Sequence, residues 1–216
     1  MTSVHRAVSL SFAGLIALVA HFLLFAATPA AAQNAGALAA EPVSLPDMSL
    51  GSPYAPVTII EYSSMTCSHC AVFEQNTFPT IKSRYIDTGQ VRFVYREYPI
   101  DNNAFGASML ARCIANDDPA RYFGAVDSLF RQEDQLVSNA MNTLKWVGSQ
   151  SGMSETEINN CLNDQDLYQK LVADRKIAME MVKVDAAPTF FINGRKYTGN
   201  MPADQMDGII RYALRR

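Results

Sequence analysis

Val57-Thr58-Ile59-Ile60-Glu61-Tyr62-Ser63-Ser64-Met65-Thr66-Cys67-Ser68-His69-Cys70 is the stretch on which the fold turns. Its first six residues form a short β-branched and apolar run bounded by turn residues, the pattern of a buried strand. From Cys67 to Tyr85 the spacing changes. Ala71, Phe73, Phe78, Ile81 and Tyr85 recur at near-helical intervals, and Pro79 predicts a kink because it removes a backbone donor. The two patterns meet at Cys67, so a strand delivers a cysteine to the start of a helix.

That placement has chemical consequences. The thiolate is the reactive form of cysteine, and the unpaired N–H groups and dipole at a helix N-terminus favour it. Cys67 is therefore the candidate attacking thiol, and Cys70, one turn further on, is the candidate buried resolving thiol. His69 is placed to donate to the Cys67 thiolate or to stabilise it by charge, which favours the reduced form and makes the disulfide more oxidising. Glu61 is anomalous in an apolar strand. If buried, its pKa should rise, allowing it to relay protons during thiol exchange; the alternative is a carboxylate facing solvent at the strand's end. Two other readings of Cys67-Ser68-His69-Cys70 stay open. One is a structural disulfide or half a zinc site, although no second close ligand pair accompanies it and the remaining histidines, His5 and His21, lie near the N-terminus. The other is a copper(I) site on Cys67, His69 and Cys70, whose thiolates and imidazole suit that ion.

Beyond Gly89, Val91-Arg92-Phe93-Val94-Tyr95-Arg96 alternates apolar with polar and reads as a second strand. The pattern is then helical from Asn103 to about Val184. Asp118-Pro119 reads as an N-cap followed by proline at the first helical position, and Ser154 with Glu157 as a capping box. Leu167, Leu171, Asp174, Ala178 and Met181 mark one face of a later helix, with Asp174 as its polar exception. Strand signals return at Thr189-Phe190-Phe191-Ile192, followed by the turn Asn193-Gly194 and a return strand from Arg195 to Thr198. Pro202 opens a last helix with Met206, Ile209, Ile210 and Ala213 on one face. The order is strand, helix, strand, helical insertion, hairpin, helix: an α/β chain with residues 53–102 and 185–216 forming one domain and 103–184 an inserted all-helical lobe.

The N-terminal segment has a different character. His5 and Arg6 precede an apolar stretch from Ala7 to Ala27, and Thr28-Pro29-Ala30-Ala31-Ala32-Gln33 suits a peptidase site after Ala32. Residues 1–32 read as a secretory signal peptide, with an uncleaved membrane anchor as the alternative. Residues 33–52, rich in Ala, Pro and Gly, read as an extended leader, with the fold starting at Pro56. Either reading of the segment puts the rest of the chain outside the cytoplasm, where disulfides persist. There Cys113, on a helical face with Phe105 and Met109, and Cys161, on a face with Ile158 and Leu162, are expected to form a structural disulfide; the alternative is two buried free thiols. The formal net charge of −3 and the lack of a Lys or Arg run exclude a nucleic-acid footprint.

Glu61 through Cys70, taken with Ala186-Ala187-Pro188-Thr189-Phe190-Phe191-Ile192-Asn193-Gly194, resembles the DsbA-like branch of the thioredoxin superfamily. The likeness runs from about Ser52 to the C-terminus and includes the position of the helical insertion. It implies a thioredoxin-like fold, a central mixed sheet flanked by helices with an inserted helical domain. It also implies a periplasmic protein dithiol oxidase with no cofactor beyond the redox-active Cys67–Cys70 disulfide and no metal. An acidic residue occupies the position of Glu61 in such proteins. Pro188 matches their cis-proline, whose preceding residue, here Ala187, leaves its backbone free to pair with substrate. The implied partners are exported proteins still forming disulfides and a DsbB-like, quinone-linked membrane protein that reoxidises the pair; a monomer is expected. Ser68 stands where proline is common and Ala187 where Val or Thr is common, and both departures bear on the redox potential. An isomerase or reductase would use the same thiols from a reduced resting state.

Overall fold

The computed structural model describes residues 44–215. Residues 1–32, read from the sequence as a signal peptide, and residues 33–43 of the expected leader lie outside the described residues. Five strands form one sheet: β1 (Met48–Leu50), β2 (Val57–Ser63), β3 (Val91–Glu97), β4 (Thr189–Ile192) and β5 (Arg195–Thr198), in the order β1-β3-β2-β4-β5. β2 and β3 are parallel, and every other pairing is antiparallel. A parallel pair needs a crossover. Here it is α1 (residues 68–86), a continuous helix in which α-helical turns at Ser68–Val72 and Phe78–Ile81 alternate with wider turns at Phe73–Thr77 and Lys82–Ile86. Pro79 does not break it. Just ahead of Pro79 the helix widens, and the Phe78 N–H reaches back to the Phe73 carbonyl.

Between β3 and β4 the chain makes six helices: α2 (Asn102–Ala115), α3 (Pro119–Arg131), α4 (Glu133–Ser138), α5 (Ala140–Gln150), α6 (Glu155–Leu162) and α7 (Gln165–Glu180). The local signals act where they stand in the sequence. Asp118 accepts from the Ala120 N–H at 2.8 Å, and Ser154 and Glu157 form a reciprocal capping box. Asn193 and Gly194 both take positive φ, 45° and 82°, the geometry a two-residue hairpin requires. α8 (Ala203–Ala213) closes the fold by packing Met206 and Ile210 against the sheet side that carries α1.

The largest core cluster runs without interruption from Ile59, Phe93 and Phe190 on the sheet, through Phe73 and Ile81 of α1, to Leu110, Tyr122, Leu129 and Phe130 of the lobe. The opposite sheet face is covered by α7 and the segment after it, where Ala178, Val182 and Val184 meet Ile60, Tyr62, Val94 and Phe191. Both faces of β2 and β3 are therefore buried, and the alternation read in β3 does not mark a solvated face. Arg96 is buried with its guanidinium forked onto Asp47 at 2.8 and 3.0 Å and a third bond to Tyr62 Oη at 2.9 Å. Glu97 is buried against Arg112 of α2 and the Tyr122 hydroxyl, which donates at 2.6 Å.

Two readings of the sequence need correction here. The fold does not begin at Pro56: residues 48–50, assigned to the leader, form edge strand β1, which pairs with β3. Three residues are too few to show alternation. Met48 is buried in the main core, and polar contacts fix the segment around it: Asp47 on Arg96, the Pro46 carbonyl accepting from Arg112 at 2.7 Å, and the Ser44 and Leu45 N–H groups donating to Asp174 at 2.8 and 3.1 Å. Asp174 is thus the polar exception on its helix face because it receives the incoming chain. Met181, which the spacing places on that face, is 51% exposed, since α7 ends at Glu180 and the face does not extend that far.

Candidate active site

Cys67 is the N-cap of α1, in extended conformation at φ −97° and ψ 115°, with its sulfur half-buried. Ser68 and His69 are exposed, while Cys70, one turn in, is fully buried. The two sulfurs are unbonded, so the site is in its dithiol form. Across from them the Ala187–Pro188 peptide is cis, and the Cys67 thiol donates to the Ala187 carbonyl at 3.3 Å. Neighbouring carbonyls are held as well. The Val184 carbonyl accepts from Tyr98 Oη, that of Ala186 from Thr189 Oγ1, and that of Pro188 from the Gly199 N–H. Sequences 120 residues apart are thereby fixed side by side.

The environment separates the two thiols sharply. The Cys67 pKa falls to about 6, first because the Cys70 thiol donates a hydrogen bond to it, then through the backbone N–H groups of Cys70 and His69, and last through the charge of His69; burial opposes the shift. Cys70 is pushed strongly upward by burial, by the same bond to Cys67 and by the nearby carboxylate of Glu61. One thiol is poised to be a thiolate near neutral pH and its neighbour to stay protonated. The charge of His69, which the sequence offers as a support for the Cys67 thiolate, lowers it as expected but is the smallest of these causes, because the ring is exposed and screened while Cys70 lies in the protein interior.

Behind Cys70 lies a buried polar cluster. Glu61 does not face solvent; it is fully buried, and that burial raises its carboxyl to about 8. It shares the site with Ser63 on its own strand, Tyr95 opposite it on β3, and Glu74 of α1. Burial and the facing Glu61 raise Glu74 as well. Both Glu61 oxygens, Glu74 Oε1, Ser63 Oγ and Tyr95 Oη are buried without a hydrogen-bond partner, so these groups act on one another electrostatically without being aligned as bonded pairs. Two carboxyls in so dry a site cannot both ionise readily. Glu74, Ser63 and Tyr95 were missed in the sequence. Glu74 had a legible signal, four residues after Cys70 and so on the same helix face. Tyr95 had none, since its side depends on the β2–β3 register.

The second cysteine pair lies apart from this site. Cys113 of α2 and Cys161 of α6 are joined by a disulfide across a sequence separation of 48. It sits in a cluster with Met109 and Leu171, flanked by Phe105, Leu162 and Tyr168. Among the described residues no group of three or more His, Cys, Asp or Glu side chains is arranged to hold a metal ion.

A family model described as thioredoxin matches residues 44–211. The crystal structure of α-DsbA1 from Wolbachia pipientis superposes with a TM-score of 0.77 at 30% identity, covering 83% of this chain and 96% of that one. The chain belongs to the DsbA-like branch of the thioredoxin family. A protein-disulfide oxidoreductase of Rickettsia typhi is 32% identical over 170 residues, 78% of this chain. This chain spans about three fifths of that relative's length, 62%. BdbD from Bacillus subtilis, at 22% identity and a TM-score of 0.69, shares the fold. The DsbA-like architecture accounts for the inserted lobe and for the Ala187–Pro188 loop facing the cysteines. Among the described residues no helix is long and apolar enough to cross a membrane.

Proposed function

We propose that this protein is an exported dithiol oxidase that introduces disulfides into proteins outside the cytoplasm through the Cys67–Cys70 pair. The observation that carries the reading is the split between the two thiols, Cys67 lowered to about 6 and Cys70 raised, beside a backbone loop fixed at Ala187–Pro188. Stabilising the reduced form in this way makes the disulfide the stronger oxidant.

The cycle starts with the pair oxidised. A substrate thiolate attacks Cys67 Sγ, the Cys67–Cys70 bond breaks, and Cys70 leaves with the electron pair and takes a proton. Glu61, whose carboxyl is raised to about 8 and which acts on Cys70, is protonated at neutral pH and can supply it. A second substrate thiolate then attacks the substrate sulfur of the mixed disulfide and expels Cys67 as a thiolate, its favoured state. The substrate loses two electrons and the enzyme gains them. The Ala187 backbone pairs with the substrate chain during the exchange. A quinone-linked, DsbB-like membrane protein takes the electrons onward, and no cofactor other than the disulfide takes part.

The test is stoichiometric. The oxidised protein is mixed with a reduced peptide bearing two cysteines, and the products are followed by mass spectrometry. The reading requires one peptide disulfide per protein, with C67A inert; offered the oxidised peptide instead, the Cys67 thiolate of C70A should open its disulfide and stay trapped as a mixed disulfide. Transfer that persists in C67A would overturn it.

A further inference from the structure

The backbone that presents Cys67 does not hang from β2 alone. Residues 63–66, which lead from β2 to the cysteine, are stitched to residues 98–101, which lead from β3 into the helical lobe. The Tyr98 N–H donates to the Ser63 carbonyl at 2.7 Å, the Ile100 N–H to Ser64 Oγ at 3.4 Å, and Thr66 Oγ1 to Asp101 Oδ2 at 2.7 Å. Ser64 Oγ and Thr66 Oγ1 lie 3.4 Å apart, and the Cys67 N–H closes a turn onto the Ser64 carbonyl at 3.1 Å. Asp101 is also the N-cap of α2, where its other oxygen accepts from the Ala104 N–H at 2.8 Å. One carboxylate therefore serves both the first helix of the lobe and the residue immediately before the attacking cysteine.

We infer that Thr66 and Asp101 are positioning residues that hold Cys67 in its N-cap geometry and tie that geometry to the helical lobe. Cys67 has no side-chain cap bond to fix it, and its stabilisation as a thiolate depends on the sulfur staying beside the Cys70 thiol and facing the N–H groups of Cys70 and His69. A frayed N-cap loses those donors first. Thr66, 8% exposed, is the nearest point upstream at which the loop is anchored to another element by a side chain. The two lobe contacts before it, at Ser63 and Ser64, restrain the loop further from the sulfur. Asp101 also carries negative charge, which disfavours a nearby thiolate, so its benefit to Cys67 has to come through the hydrogen bond it accepts and not through its charge.

The inference rests on Cys67 being the exchanging thiol, and the experiment separates the two. The thiolate absorbance of the reduced protein is titrated against pH in the wild type, T66V, T66S, D101N and D101S. T66V removes the donor at constant shape. D101S keeps a capping residue for α2 but is too short to reach Thr66, whereas D101N keeps both the cap and a partner for the hydroxyl. T66V and D101S should move the Cys67 midpoint up from about 6 by about one unit. T66S and D101N should stay close to the wild type. At pH 6 that shift leaves about a fivefold smaller thiolate fraction, offset about threefold by the greater nucleophilicity of a more basic thiolate, so attack of the reduced protein's Cys67 on a model disulfide slows about twofold. A purely structural seam would lower the unfolding midpoint of T66V and leave the thiolate titration in place. Unchanged titrations in both T66V and D101S would overturn the inference. Exchange surviving in C67A would instead overturn the function on which it rests.

Discussion

The two cysteine pairs are built from the same atoms and placed in opposite circumstances. Cys67 and Cys70 are three residues apart at the mouth of a helix, one sulfur half-exposed and one buried, with a thiolate favoured on the first. Cys113 and Cys161 bridge two helices of the lobe among Met109, Leu171, Phe105 and Tyr168 and are joined as a disulfide. Stabilising a thiolate lowers the free energy of the reduced form and makes the first pair easy to reduce. The second pair is bonded across a sequence separation of 48, and its bond constrains a long loop. What distinguishes a redox-active disulfide from a structural one is therefore the cost of its broken state.

Exchanging the roles of the pairs by mutation gives the largest expected contrast. C67A should abolish dithiol transfer in the peptide assay while leaving denaturant unfolding near the wild type. The double variant C113A/C161A should do the reverse, losing about 4 kcal/mol in chemical denaturation, as expected for opening a loop of this length in the chain-entropy model, while retaining transfer. Transfer lost in the double variant before any unfolding would erase the distinction between the pairs.

A second contrast concerns pH. Glu61 is an acid whose folded pKa, about 8, lies above its unfolded value near 4.5. Its contribution to stability is complete below about pH 4.5 and is lost as pH rises towards 8, by up to about 1.4 kcal/mol per unit. Cys67 runs the other way. Its folded pKa of about 6 lies below its unfolded value near 9, so its contribution is present above pH 9 and is lost as pH falls through 6. Between pH 6 and 8 these two slopes oppose each other, and Glu74, raised by burial and by Glu61, adds a second falling one. E61Q should remove one falling slope, so from pH 6 to 8 the stability of the reduced variant should change more favourably than that of the wild type. Urea unfolding across that range decides it, and an E61Q profile parallel to the wild type's would separate Glu61 from the linkage.

His69 provides the smallest test. Because it contributes least to lowering Cys67, H69A should raise the thiolate midpoint by less than one unit, a smaller change than removing Cys70. A larger rise would mean that the exposed imidazole is less screened than its position implies.

How much of this was legible beforehand depends on whether the determinant was local. The strand-to-helix junction at Cys67, the Asn193-Gly194 hairpin and the capping box at Ser154 are local patterns, and each is present where the sequence placed it. The thioredoxin-like class followed from the motif with its distal proline segment. β1 was not legible, because its placement depends on distant elements: the ion pair of Asp47 with Arg96 and the hydrogen bond from Arg112 to the Pro46 carbonyl. Tyr95 and the polar seam at Thr66 and Asp101 were hidden for the same reason: register and lobe placement decide which polar side chains meet. The relative weights on Cys67 were also out of reach, since Cys70's hydrogen bond outranks His69 only once their burial is known.

The central claim is that the surroundings of Cys67 make the Cys67–Cys70 disulfide an oxidant. Equilibrating the pair with glutathione redox buffers and counting free thiols by mass spectrometry measures its reduction potential directly. The expected value lies well above the roughly −270 mV of thioredoxin and towards the −120 mV or so of a strong dithiol oxidase; a value close to thioredoxin's would contradict the account.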